Sequence, residues 1–194
     1  MAVVLVHAPA LAQSSAPVKG VNDDRKWALS LMAGYASIDA DMQFAPKAWW
    51  DKSFREEAVI VGAASYNVVR FLRHFTFEAE VGLGHRFGVG ATDGWVAGYI
   101  RYDNFPWNHI IRTTVAASIG VNYISRLPRS ERDEPGEPTS RLLHYFSPEI
   151  TFALPDKPEH ELVMRIHHRS GIFGLMNGVH GGSDAFVMGY RYRF

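Results

Sequence analysis

The feature that most constrains this chain is a two-residue alternation of apolar and polar side chains through eight segments of roughly 9–13 residues. They run over 27–37, 58–69, 75–87, 95–103, 112–124, 143–154, 161–170 and 184–194. The third is the clearest: Phe75, Phe77, Ala79, Val81 and Leu83 face one way, and Thr76, Glu78, Glu80, Gly82, Gly84 and Arg86 the other. Successive side chains of a strand point to opposite faces, so each segment reads as a strand with one apolar and one polar face. Globular strands average about 5–6 residues. A tilted strand needs about 9–11 to cross the hydrocarbon of a bilayer.

Which face lies inside decides the fold. A soluble sandwich buries the apolar face. A small outer-membrane barrel turns that face to lipid and pairs its charges in the lumen. Here the polar faces hold Glu78, Glu80, Arg86, Arg101, Glu149, Arg165, Arg191 and Arg193. Gly82, Gly84, Gly120 and Gly189 share those faces, as a narrow lumen requires. The connections alternate between short turns and longer loops, the pattern of periplasmic turns and external loops. The pattern therefore predicts an all-β fold, an eight-stranded antiparallel transmembrane β-barrel of the outer membrane. Phe77, Val81, Ile119, Phe152, Met164 and Tyr190 are expected on its outer wall, and Glu78, Glu80, Arg101, Arg165, Arg191 and Arg193 ion-paired inside.

Composition narrows the function. The 194 residues include 20 Lys+Arg and 20 Asp+Glu, a balance unlike that of a nucleic-acid binder. With no cysteine there is neither a disulfide framework nor a thiolate metal site. No apolar run reaches the roughly 18 residues of a membrane helix. The mean hydropathy of −0.11 does not argue against a barrel, whose alternating strands hide from any average. Residues 1–12 are almost wholly apolar and end in Ala-Leu-Ala, the form of a signal-peptidase site. They are read as the remnant of a signal peptide, and 13–194 as a single barrel domain. Ala48-Trp49-Trp50 in the first long loop suits either the headgroup layer or a hydrophobic staple of the loop.

One group of residues breaks the rule that the lipid face is apolar. His168 and Ser170 continue the parity of Leu162, Met164 and Ile166, and Asp184 continues that of Phe186, Met188 and Tyr190. All three thus fall on the outer surface of neighbouring strands, where the last loop joins them. A serine, a histidine and an acid on one patch form a nucleophile, base and orienter set. Ser170 would attack an ester carbonyl, His168 would carry the proton, and Asp184 would hold the imidazole. Main-chain N–H groups of the turn at Gly171-Ile172-Phe173-Gly174, Gly171 first, would face the oxyanion. The same spacing also suits ordinary polar residues at the rim.

His168-Arg169-Ser170, followed by a loop, an acid ten residues before the chain end and a final aromatic strand, resembles the PagL-type lipid A 3-O-deacylases. The resemblance implies an eight-stranded outer-membrane barrel that hydrolyses an ester-linked acyl chain of lipid A. It implies an active site on the outer face, built from His168, Ser170 and Asp184, with no cofactor and no metal. It also implies lipid A or lipopolysaccharide of the outer leaflet as substrate and the membrane as partner. Whether a second copy of the chain is also a partner stays open. The family's acid is often Glu, and its serine can be followed by Asn-Ala-Gly. Here Asp184 is one methylene shorter and Gly171-Ile172-Phe173 follows, which leaves Asn177 as an alternative donor to the oxyanion.

Other residues read as structural. His167 has lumen parity and is expected to pair with Glu161 or another lumen acid; His180 is a loop histidine; Glu78 and Glu80 are expected to pair with arginines. The rival readings are a non-enzymatic structural or porin-like barrel and, third, a soluble lipocalin-like carrier.

Overall fold

A computed structural model describes residues 25–37, 54–128, 131 and 138–194. The expected signal remnant, residues 1–12, and Ala48-Trp49-Trp50 lie outside these. The strands are β1 (Trp27–Ser37), β2 (Phe54–Phe71), β3 (Phe75–Arg86), β4 (Ala91–Tyr102), β5 (Arg112–Ile124), β6 (Leu142–Phe146), β7 (Glu149–Leu154), β8 (Lys157–Ser170) and β9 (Gly182–Arg193). Every pairing is antiparallel, and β1 pairs with β9 as well as with β2, so the sheet closes into a barrel. The start of β1 meets the end of β9 on the side of the short turns, where Trp27 and Phe194 exchange main-chain hydrogen bonds of 3.0 and 2.9 Å.

β6 and β7 together fill one strand position, since both pair with β5 and with β8. The single segment expected over 143–154 is thus interrupted at Ser147-Pro148. Proline has no N–H to give the ladder, and it is tolerated in a sheet at such breaks. The freed carbonyls still find partners: Ser118 N donates to Ser147 O at 3.2 Å and Ile166 N to Pro148 O at 3.1 Å. The ring therefore has eight strand positions, as the alternation predicts.

The wall is inside out relative to a soluble protein. Leu83 and Ile119 are 68% and 71% exposed, whereas Arg101, Arg169 and Arg191 are fully buried. The lumen holds a connected ion-pair network. Arg101 donates to Glu78 and Glu149, Arg165 to Glu80 and Glu149, Arg191 to Glu149, and Arg193 to Glu161 and Glu78. Buried charges persist only when paired and hydrogen-bonded, which is what holds these eight side chains. Towards the loop end, Trp95 Nε1 donates to Glu80, and Tyr99 and Tyr145 share a 3.4 Å hydrogen bond. Space there is short: a Cβ on Gly82 would lie 2.1 Å from the Trp95 indole.

Candidate active site on the outer wall

The lumen contacts of β8 set which way its last residues face. His167 Nε2 lies 3.0 Å from Asp93 Oδ2, and its Nδ1 3.2 Å from the Tyr145 hydroxyl. Arg169 Nη1 donates to both oxygens of Glu131 at 2.6 Å. With His167 and Arg169 anchored inward, strand geometry turns His168 and Ser170 outward. The lumen acid that His167 meets is Asp93.

Register then brings the outward residues into two rows. His168 lies opposite Asp184 on β9 and Phe146 on β6. Ser170, one step nearer the loops, lies opposite Gly182 on β9 and His144 on β6. In the first row His168 Nδ1 is 2.5 Å from Asp184 Oδ1, with both side chains largely buried. The Phe146 ring meets the imidazole edge-on, with centroids 6.5 Å apart. An ionised carboxylate can only accept, so the contact places a proton on His168 Nδ1 and leaves Nε2 as the nitrogen that can present a lone pair. That is the state a general base needs.

Ser170 is half-buried on the same face. Its hydroxyl makes no hydrogen bond to His168 among the described residues. The structure thus joins two of the three expected residues directly and puts the third beside them. Two residues along a strand separate their Cα atoms by about 6.6 Å, a gap that the imidazole and the serine hydroxyl must bridge through their side-chain torsions. On the β9 side Ser170 faces no side chain. A Cβ on Gly182 would stand 2.9 Å from Ser170 Cβ and 2.1 Å from Arg169 O, so this position keeps the serine approachable.

The loop over 171–181 changes the donor assignment. Gly171 N–H, the expected oxyanion donor, is committed to Gly181 O at 3.2 Å, closing the neck of the loop. The Asn177 amide is committed too, to Ser140 Oγ at 3.0 Å and Leu142 O at 2.7 Å. The amides of Gly174, Leu175, Met176 and Val179 bond within the loop. Those of Ile172 and Phe173 have no main-chain partner among the described residues. Both residues are left-handed, at φ 50° and 54°. For a β-branched residue such as Ile172 this is a genuine outlier, and such strain costs about 1–3 kcal/mol per residue. The turn is held in a shape that leaves two N–H groups unspent near the serine.

The alternation puts Phe146 on the apolar face of its segment but does not single out His144. His144 and Phe146 share the outward parity of their strand, and the signal for His144 was a polar ring on an otherwise apolar face. Among the described residues no three His, Asp or Glu side chains converge as metal ligands. Glu78 and Glu80 are bound to arginines in the lumen, and His180 is an exposed loop residue.

No protein-family model matches the chain, and no curated protein matches it in sequence. Solved structures do match in fold. The outer membrane enzyme PagL aligns with a TM-score of 0.61 and 15% identity, over 86% of this chain and 99% of its own. Neisserial surface protein A aligns with a TM-score of 0.52 and 12% identity, over 87% of this chain and 97% of its own. At these identities the likeness establishes the fold, that of small outer-membrane β-barrels.

Proposed function

We propose that this outer-membrane-type barrel is a serine esterase of the bacterial outer membrane that removes an ester-linked acyl chain from lipid A, as a 3-O-deacylase does. The observation that carries the reading is the His168–Asp184 contact on the outer wall, at the end of the barrel where the strands run into the longer loops. Polar groups facing lipid cost free energy, up to about 2–4 kcal/mol for a charge at the bilayer midplane and about 0–1 near the interface. A barrel wall gains nothing structural from a histidine, an acid and a serine there. A reaction on a substrate arriving through the membrane needs all three. The apolar wall around them, including Phe146, Ile166 and Phe186, suits acyl chains approaching laterally.

In this reading Ser170 Oγ attacks the ester carbonyl while its proton passes to His168 Nε2. Asp184 stabilises the imidazolium and keeps it oriented. Collapse of the tetrahedral intermediate breaks the bond to the sugar or hydroxyacyl oxygen, which takes the proton from His168. Water then releases the acyl group from Ser170 by the same sequence. The amides of Ile172 and Phe173, not that of Gly171, are the main-chain groups free to meet the oxyanion. Mass spectrometry of lipid A incubated with the purified barrel in detergent micelles tests the proposal. The expected result is loss of one ester-linked chain with wild type and none with Ser170→Ala or His168→Ala. Unchanged lipid A with the folded wild-type protein favours the non-enzymatic barrel.

A further inference from the structure

The second row of the site holds a residue with no role in the triad. Tyr145 is fully buried and bonds inward to Tyr99 and His167, so its neighbour His144 faces outward. His144 is the register partner of Ser170, and directly opposed residues of an antiparallel pair have Cβ atoms about 4.5–5.5 Å apart. Its imidazole is close enough to His168 for the two rings to interact electrostatically. Ser170 is thus flanked by His168 along its strand, by His144 across one strand boundary and by the bare Gly182 across the other. His144 makes no side-chain hydrogen bond among the described residues, and Asp184 lies on the far side of His168, so no acid prepares His144 as a base.

Deepening the hydrolase reading, on which this step rests, we propose that His144 donates an N–H hydrogen bond to the oxygen anion that forms when Ser170 attacks the ester. As the Oγ–C bond forms, the carbonyl π pair moves onto oxygen and the serine proton goes to His168 Nε2. The site then holds one imidazolium and one oxyanion. A neutral imidazole on the opposite flank of the serine supplies a donor without adding a second cation beside His168. A side-chain donor on this flank adds to the free Ile172 and Phe173 amides of the turn, because the Gly171 amide and the Asn177 amide group are already spent elsewhere. Histidine side chains are among the groups that form oxyanion holes, and removing one such donor lowers kcat by about 10²–10³-fold.

The test compares wild type, His144→Ala, His144→Gln and Ser170→Ala as folded barrels, verified by heat-modifiable electrophoretic migration. Each is assayed for kcat and KM on lipid A micelles and for the rate of Ser170 labelling by a fluorophosphonate, which loses fluoride and leaves a tetrahedral phosphonyl adduct whose P=O oxygen takes the place of the oxyanion. His144→Ala is expected to lose about a hundredfold or more in kcat with KM little changed, and to label more slowly in proportion. His144→Gln keeps a donor of similar reach and is expected to recover at least tenfold of that loss. With an active wild type, His144→Ala within threefold of it in kcat, or a rise in KM alone, overturns this inference and leaves the hydrolase reading standing. A folded wild type with no Ser170-dependent hydrolysis overturns both.

Discussion

Glu149 is the hub of the lumen, and neutralising it offers a quantitative test of the fold. Its carboxylate accepts from Arg101 Nη2 at 2.6 Å, from Arg165 Nε and Nη2 at 2.8 and 2.5 Å, and from Arg191 Nη1 and Nη2 at 2.7 and 2.9 Å. The central network has four carboxylates, Glu78, Glu80, Glu149 and Glu161, and four guanidinium groups, Arg101, Arg165, Arg191 and Arg193. Glu149→Gln leaves this balance one positive charge in excess and turns an amide N–H₂ towards arginine donors. Hydrogen bonds to charged groups contribute about 1.5–3 kcal/mol each, but five on one carboxylate do not add. Stranding one member of a buried pair costs about 3–5 kcal/mol, and that is the expected loss. The assay is urea unfolding in detergent, followed by tryptophan fluorescence and by the electrophoretic shift of the folded barrel. The double variant Glu149→Gln/Arg191→Met restores the charge balance and should recover part of the loss. A loss below about 1 kcal/mol for Glu149→Gln would refute the view that paired lumen charges hold the barrel.

Other outcomes follow from the site. Asp184→Asn is expected to keep the fold and lower kcat by about 10²–10⁴-fold, because the amide no longer fixes the His168 tautomer; steady-state kinetics on lipid A reads this. His167→Ala, which leaves Asp93 without its 3.0 Å partner, should lower the urea midpoint while hydrolysis per folded molecule stays within about threefold. His168→Ala should do the reverse. Gly182→Val should abolish labelling of Ser170, since even a Cβ there meets Arg169 O at 2.1 Å; folding is checked by electrophoretic migration.

Much of the fold was legible because period two and lumen charge are local signals. β1 and β5 have the bounds that the alternation predicts, 27–37 and 112–124, because both faces stay consistent to the ends. β4 begins at Ala91, not 95: glycines at 90 and 94 read as loop, yet the ladder to β3 pairs Thr92 with His85 and Gly94 with Leu83. β2 and β8 likewise run past the alternation, to Phe54–Phe71 and Lys157–Ser170, carried by their neighbours' hydrogen bonds. In the site, parity was enough to separate His168 from His167 and to put Asp184 on the same outer face as His168. Parity cannot give the register between strands far apart in sequence. That His144 lies opposite Ser170 depends on the register shift between Ala153 and Leu154, since the register to β8 then runs unchanged across Ser147-Pro148. The donors of the turn were equally hidden, because which amides are spent depends on how the loop over 171–181 folds back to Gly181 and Val179.

The most direct test of the central claim is the mass of lipid A from cells that express the wild-type barrel or its Ser170→Ala variant at equal, folded levels in the outer membrane. The account predicts lipid A lighter by one ester-linked acyl chain with wild type, and unmodified lipid A with Ser170→Ala. Equal loss of the chain with both proteins would contradict Ser170 as the nucleophile, and intact lipid A with both would contradict the enzyme.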